Sequence, residues 1–467
     1  RPSNEPSHQN TMATPQTHSQ RSYILEGSVT RGILKLSWPI AASMFLQFAL
    51  GFTDFYWIGD LGASAQDAMT SSLIIVWTLM SLAALITIGV NALVARNYGS
   101  QDFKRAGFIG GQALKLSVIV GFSVAALGYF SSEWLMFFMG ADELVASQGA
   151  AYLRIFFLAS PLLFVMETFS AIFRATGDTK RPMIVSIMGV GLNIILDPIL
   201  IFGWGPAPEM GVAGAALGTF LSLFADIALY TIFVYRGRLP FSLSGVWKDK
   251  LDSAAALAIA KIGAPLSAQH LTFVGVYTGL IQIVHRFGNI SGAAMGIGNR
   301  LESLNYLICV AFSLAASSMI GQSLGAGKPE RAERAAWTAA GFGVLLTATT
   351  MTMFLLAPDT LSSIFTSDPA VKEIARSYLI IVGYSQCMMA IEIVIDGAFS
   401  GAGDTVPPML ISIPGSLARI PLAYYLAIDQ GLGVSGVWWA ITITTTIKAC
   451  LLAYWFNRGN WKLKKVY

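Results

Sequence analysis

The chain has 467 residues, of which 54% are hydrophobic and 12% charged, against roughly 25% charged in a soluble domain. Apolar runs of about 20 residues follow one another with short breaks, which excludes a soluble globular protein and makes lipid the surrounding medium. The net charge of +4 comes from basic residues scattered singly in short loops, a pattern that orients a membrane protein and points away from a nucleic-acid partner.

Residues 1–22 are rich in Pro, Ser, Gln, Asn and Thr and read as a disordered amino-terminal tail. Apolar runs broken by Gly, Pro or charge then predict spans at 33–59, 67–95, 106–130, 147–173, 182–204, 210–235, 255–285, 291–321, 334–357, 373–400, 407–428 and 433–457. Each is expected to be a helix, because backbone polar groups in hydrocarbon must be satisfied within the segment. Residues 23–236 make an N-lobe of TM1–TM6, 237–253 a polar cytoplasmic linker, and 254–467 a C-lobe of TM7–TM12 with a basic tail. Arg96, Lys104 and Arg105 join spans 2 and 3, Arg174, Lys180 and Arg181 join spans 4 and 5, and Lys328, Arg331 and Arg334 join spans 8 and 9. The positive-inside rule places these loops and both termini in the cytoplasm. Cys309, Cys387 and Cys450 all fall in apolar segments and imply no disulfide or metal site.

One internal offset recurs. Pro39 aligns with Pro265, Gly99 with Gly325, Arg105 with Arg331, and Gly177, Asp178 and Thr179 with Gly403, Asp404 and Thr405, every pair 226 residues apart. After a small deletion the register resumes with Gly-Val-Ala-Gly at 211–214 and Gly-Val-Ser-Gly at 433–436. The chain is a tandem duplication. Each half has an even number of spans, so the repeats are parallel, an architecture in which substrate binds at the repeat interface. The fold class expected is an all-α membrane protein with twelve transmembrane helices in two six-helix bundles.

Polar residues inside spans are the candidate sites. Asp54 sits deep in span 1, where an ionised carboxylate costs about 2.5–3.5 kcal/mol on insertion scales, so it faces a cavity, carries a proton or bonds a neighbouring helix. Asn193 and Asp197 lie four residues apart on one face of span 5, an oxygen cluster that suits sodium or a relayed proton. Pro198 frees a carbonyl beside them. Gln47, Glu167 and Asp226 are further cavity-lining candidates of the first half. In the second half Glu392 and Asp396 form an i,i+4 pair in span 10, and Arg419 in span 11 is expected to neutralise Asp396 more readily than to serve coupling. Arg300 and Glu302 are expected to anchor a helix end or a gate, and His270 is either a satisfied core histidine or a proton carrier. No Gly-Lys-Ser/Thr follows a glycine loop, so an ATP motor within the chain is not expected.

Several motifs in order resemble the multidrug and toxic compound extrusion (MATE) family, and within it the DinF-like branch. They are Leu36-Ser-Trp-Pro-Ile40 leading to Thr53-Asp54, Arg174-Ala-Thr-Gly-Asp-Thr179, Leu192-Asn-Ile-Ile-Leu-Asp-Pro198, Arg300-Leu-Glu-Ser303 and Gly321-Gln-Ser-Leu-Gly-Ala-Gly327. The resemblance implies the MATE fold, two bundles around a cleft that opens alternately to either side, and export of cationic or amphipathic compounds against protons or sodium. It maps a cation site onto Asp54, Asn193, Asp197 and Thr219. A glutamate and an aspartate of another branch fall on Phe273 and Met389, so that branch's sodium site is not expected. The expected role is therefore a cation-coupled antiporter of the cytoplasmic membrane, proton-driven rather than sodium-driven, acting as a monomer in contact with lipid. It needs no cofactor beyond the coupling ion, and no metal beyond sodium at Asp54, Asn193 and Asp197. The rival within transport is a lipid-linked saccharide flippase, whose anionic cargo would want a basic cavity. A membrane enzyme or receptor is the rival from another class.

Overall fold

Apolar sequence becomes helix throughout, and no strand occurs among the described residues. The computed structural model describes residues 22–205, 207–243 and 250–466, so all but the last residue of the expected tail and the middle of the linker lie outside it. The first half contributes α1 (Val29–Gly59), α2 (Ala63–Gly99), α3 (Phe103–Phe138), α4 (Glu143–Ala175), α5 (Lys180–Ile201) and α6 (Val212–Tyr235). The second begins with α7 (Ser253–His285), α8 (Asn289–Gly325) and α9 (Pro329–Leu356), followed by the short α10 (Pro358–Ser363). It ends with α11 (Pro369–Gly383), α12 (Gln386–Ala402), α13 (Val406–Leu417), α14 (Arg419–Tyr424) with a π turn over Tyr425–Asp429, and α15 (Val434–Asn457).

Two predicted spans are not single straight helices. Span 10 is α11 and α12, bent by 54°. At the break the Ser385 hydroxyl and the Gln386 amide both donate to the Val382 carbonyl, at 2.9 and 3.3 Å, which satisfies a group that the bend frees. Span 11 is interrupted between α13 and α14 beyond Pro414 and ends in the π turn. Among the described residues ten helices are long and apolar enough to cross a membrane, with Val406–Asp429 counted as one, and the bent pair makes an eleventh. The twelfth is α7, whose 33 residues exceed a bilayer's need but include Lys261, Gln269, His270 and Thr272.

The two halves meet about a pseudo-two-fold axis that the hydrogen bonds reveal directly. Asn91 of α2 donates to Ser317 of α8 at 2.9 Å, and these residues are repeat equivalents 226 positions apart. Close backbone approach surrounds that pair in symmetric fashion. A Cβ at Gly99 would overlap the Gln322 carbonyl, and one at Gly325 the Arg96 carbonyl; Gly89 and Gly263, which are not repeat equivalents, bring α2 and α7 equally close at Ile259 and Leu85. The first turns of α1 and α7 cross between halves. Ile33, Leu36 and Ile40 join a core with Met319, Ile395 and Phe399 of the second half, while Ile259 and Ile262 join the first half's core beside Ile86 and Val90.

This junction lies at the end of the molecule that carries the 2–3, 4–5, 8–9 and 12–13 helix connections. There Gln322 donates to the Ala175 carbonyl at 2.8 Å, Lys328 to the Leu25 carbonyl at 3.1 Å, and Arg331 to the Ile24 and Gly27 carbonyls. Towards the other end the second half builds a core of its own around Val276, Tyr378, Trp438 and Ile441. The linker is not a loose strand where it is described. Leu239 and Phe241 are buried on the first half, and Gln112 of α3 bonds the Lys250 carbonyl and the Asp252 N–H.

Candidate functional site

Three helices of the first half bring four of the predicted residues together. Asp54 enters from α1, Asn193 and Asp197 from successive turns of α5, and Thr219 from α6. The carboxyls of Asp54 and Asp197 stand within hydrogen-bonding reach of each other. Each keeps a buried Oδ1 with no protein partner. The Asn193 amide fits its neighbours in the orientation that sends its nitrogen to Asp197 Oδ2 at 3.2 Å and its oxygen to the Thr219 backbone N–H at 2.9 Å. The Thr219 hydroxyl lies 3.5 Å from Asn193 and donates to the Ala215 carbonyl. Helix α5 runs unbroken through Pro198.

Two residues complete this site that the sequence reading passed over. Tyr152 of α4 is buried close to both carboxyls. Gly218 of α6 makes the room, because a Cβ there would lie 2.6 Å from Asp197 Oδ1 and 3.3 Å from the Asn193 side-chain amide. The only sequence signal for Tyr152 is that a phenol in a membrane span needs a polar partner. Gly218, one of 45 glycines, carries no local signal at all.

The other first-half candidates stand apart. Gln47 is exposed two turns before Asp54 on α1. Asp226 lies seven residues beyond Thr219, about 10 Å along α6, beside Glu167 of α4. Its carboxylate fills a notch over Gly189 of α5, and its Oδ1 has no partner.

In the second half the expected Asp396–Arg419 pair does not form. Arg419 is buried and donates to the hydroxyls of Thr444 at 2.8 Å and Thr445 at 3.0 Å on α15, since α14 faces that helix rather than α12. Asp396 instead accepts from Gln269 of α7 at 2.7 Å. The ion pair is Glu392 with Lys448 of α15, at 2.5 Å. Lys448 was legible as a lone cation in a span and was missed. Glu302 does not anchor a helix end; it accepts from Gln386 at 3.1 Å and lies 2.9 Å from the Tyr378 hydroxyl, and Asn305 and Thr350 extend this network. Arg300 is exposed one turn of the network away. His270 and Tyr306 are both exposed, so His270 is not a buried core histidine. Phe273, one turn beyond on α7, is exposed as well.

Two six-helix bundles joined at one end, with carboxyls buried between their helices, define a multi-pass membrane protein. The MatE family profile matches residues 39–199 and 265–425, two segments offset by the same 226 residues as the internal repeat. The chain belongs to the MatE family, whose members are transporters and not enzymes. It is 28% identical over 443 residues to a probable multidrug resistance protein NorM of Thermotoga maritima, covering 94% of each chain. It is 26% identical over 442 residues to an FAD transporter of Shewanella oneidensis, covering 94% of this chain and 96% of that one. In fold it is similar to a MOP superfamily transporter from Pyrococcus furiosus, with a TM-score of 0.89 and 22% identity over 97% of this chain and 100% of the other. That likeness has the twelve helices in two repeats expected from the sequence.

Proposed function

We propose that the protein is a proton-coupled antiporter that exports cationic or amphipathic small molecules, with Asp54, Asn193, Asp197 and Thr219 as its coupling site. One observation carries the reading: two carboxyls from different helices, Asp54 and Asp197, approach within hydrogen-bonding reach, each with an unpartnered buried oxygen. Two carboxylates so placed repel unless a proton or a cation lies between them. Loading or unloading that position changes the attraction between α1 and α5, and α1 is also the helix whose first turns pack on the opposite half. An ion bound there is therefore mechanically linked to the contact between the halves.

The orientation of Asn193 favours a proton over sodium. Its N–H points at Asp197 and its oxygen is taken by the Thr219 N–H, so the amide offers a donor where a metal ion wants an oxygen. The DinF-like assignment rests on this same cluster. The joined end carries Arg96, Arg174, Arg181, Lys328 and Arg331, which under the positive-inside rule supports a cytoplasmic location for it and for both termini. In that orientation the contacts that join the halves lie at the cytoplasmic end. The relative named for multidrug resistance supports drug-like cargo. An anionic cargo, as for a saccharide flippase or a carrier of FAD, would want exposed cations; Arg419 and Lys448 are buried and already engaged by Thr444, Thr445 and Glu392, and Arg300 of α8 is the exposed cation such a cargo would use.

The test is efflux of a fluorescent organic cation from vesicles under imposed proton or sodium gradients. Native protein is expected to respond to the proton gradient, and Asp54→Asn to lose that response while still binding the dye. Undiminished gradient-driven efflux by Asp54→Asn would sink the mechanism, and binding of a lipid-linked sugar without dye transport would favour the flippase.

A further inference from the structure

The duplication puts a lysine where the first half has an acid. In the register resumed at Gly211 and Gly433, Asp226 of α6 corresponds to Lys448 of α15, and at the main offset Gly189 of α5 corresponds to Gly415 of α13. Both glycines serve one purpose. A Cβ at Gly189 would sit 2.5 Å from each Asp226 carboxyl oxygen, and a Cβ at Gly415 would sit 2.7 Å from Lys448 Cγ. The same notch between equivalent helices thus admits an anion in one half and a cation in the other.

What surrounds the two side chains differs accordingly. Asp226 faces Glu167 and leaves Oδ1 without a partner. Lys448 reaches Glu392 of α12 at 2.5 Å and the Ser416 hydroxyl of α13 at 3.4 Å, with 5% and 12% exposure of the two charged side chains. Asp396, one turn along α12 from Glu392, also lies near Lys448; it takes a hydrogen bond from Gln269 of α7 and keeps an unpartnered Oδ1. The charged groups gathered here from α12 and α15 are therefore two acids and one ammonium; Tyr306 of α8 is a further titratable group facing both acids, and the neighbours from α7 and α13 are the neutral Gln269 and Ser416.

We propose that Lys448 is a tethered counter-ion, an ammonium built into the second half at the place where a monovalent cation or a proton would otherwise be needed to neutralise Glu392. Because the charge is covalently attached it does not leave during a cycle, and Glu392 stays compensated without exchanging an ion. Its meaning for transport rests on the coupling proposed for the first half. Removing one partner of a buried pair leaves an uncompensated charge, so loss of Lys448 creates a demand for an external cation that the native protein does not have.

The experiment is thermal unfolding of the purified full-length chain in detergent, in choline, sodium or lithium chloride at constant ionic strength and at pH values on either side of neutrality. It uses an Asp54→Asn background, so that the first-half site is silenced. Adding Lys448→Met is expected to introduce a saturable rise with alkali cation of about 1–2 °C at tenfold the dissociation constant, or an equivalent rise on acidification beyond that of the parent. Adding Glu392→Gln to Lys448→Met should abolish the gained dependence. A folded Lys448→Met variant indifferent to both cation and pH would overturn the inference. Should Lys448→Met fail to fold, recovery by Glu392→Gln supports charge compensation, and no recovery overturns it. Failure of the coupling reading would show instead as intact proton-driven efflux by Asp54→Asn, a result that leaves these melting curves unchanged.

Discussion

Replacing Gly218 by alanine tests whether the geometry of the Asp54–Asp197 site governs ion coupling. The new Cβ would lie 2.6 Å from Asp197 Oδ1, roughly 0.8 Å inside ordinary van der Waals contact. Asp197 is fully buried on α5 and tied to Asn193, so it cannot swing into open space. Either its carboxyl moves away from Asp54 or α6 shifts off α5. Overpacking of this kind costs about 1–3 kcal/mol, which corresponds to roughly a 5- to 150-fold weakening if it falls on the loaded site. The assay is the dependence of dye efflux on the imposed proton gradient, alongside the thermal unfolding midpoint. Gly191→Ala supplies the control, since it lies on α5 two residues before Asn193 and a Cβ there meets nothing within 4 Å. The expected outcome is a rightward shift in ion dependence for Gly218→Ala and native behaviour for Gly191→Ala. Equal, native-like ion dependence in both variants would refute the reasoning, because the site would then tolerate displacement of its central carboxyl.

Three further outcomes are expected. Gly263→Ala should wedge α7 from the Leu85 carbonyl of α2 and weaken closure of the joined end, read as faster labelling of a cysteine placed at Asn91 in a background lacking the native cysteines. Arg331→Ala removes the donors to the Ile24 and Gly27 carbonyls, each charge-assisted bond being worth about 1.5–3 kcal/mol; earlier proteolysis around residues 22–28, with the helical core intact, is the check. Tyr152→Phe keeps the packing against Phe156 but removes the hydroxyl near Asp54 and Asp197, and should change the ion dependence of efflux without lowering the unfolding midpoint. An unaltered ion dependence would remove Tyr152 from the site.

Periodicity and composition were sufficient for the twelve helices and the duplication, because in lipid every backbone group must be satisfied locally and each span is therefore written as one apolar run. The offset of 226 residues also held the symmetry that pairs Asn91 with Ser317. Asp54, Asn193 and Asp197 were legible for a related reason: a carboxyl or amide in a span is costly enough to stand out against an apolar background. What needed the tertiary structure were the partners. Asp396 was assigned to Arg419 by sign of charge, yet helix packing gives Asp396 to Gln269 and sends Arg419 to Thr444 and Thr445. Gly218, Gly189 and Gly415 matter only through the side chain that another helix places over them. A local sequence pattern records what each residue costs to bury; which neighbour offsets that cost depends on the rotation and crossing of whole helices, and those are set by contacts hundreds of residues apart.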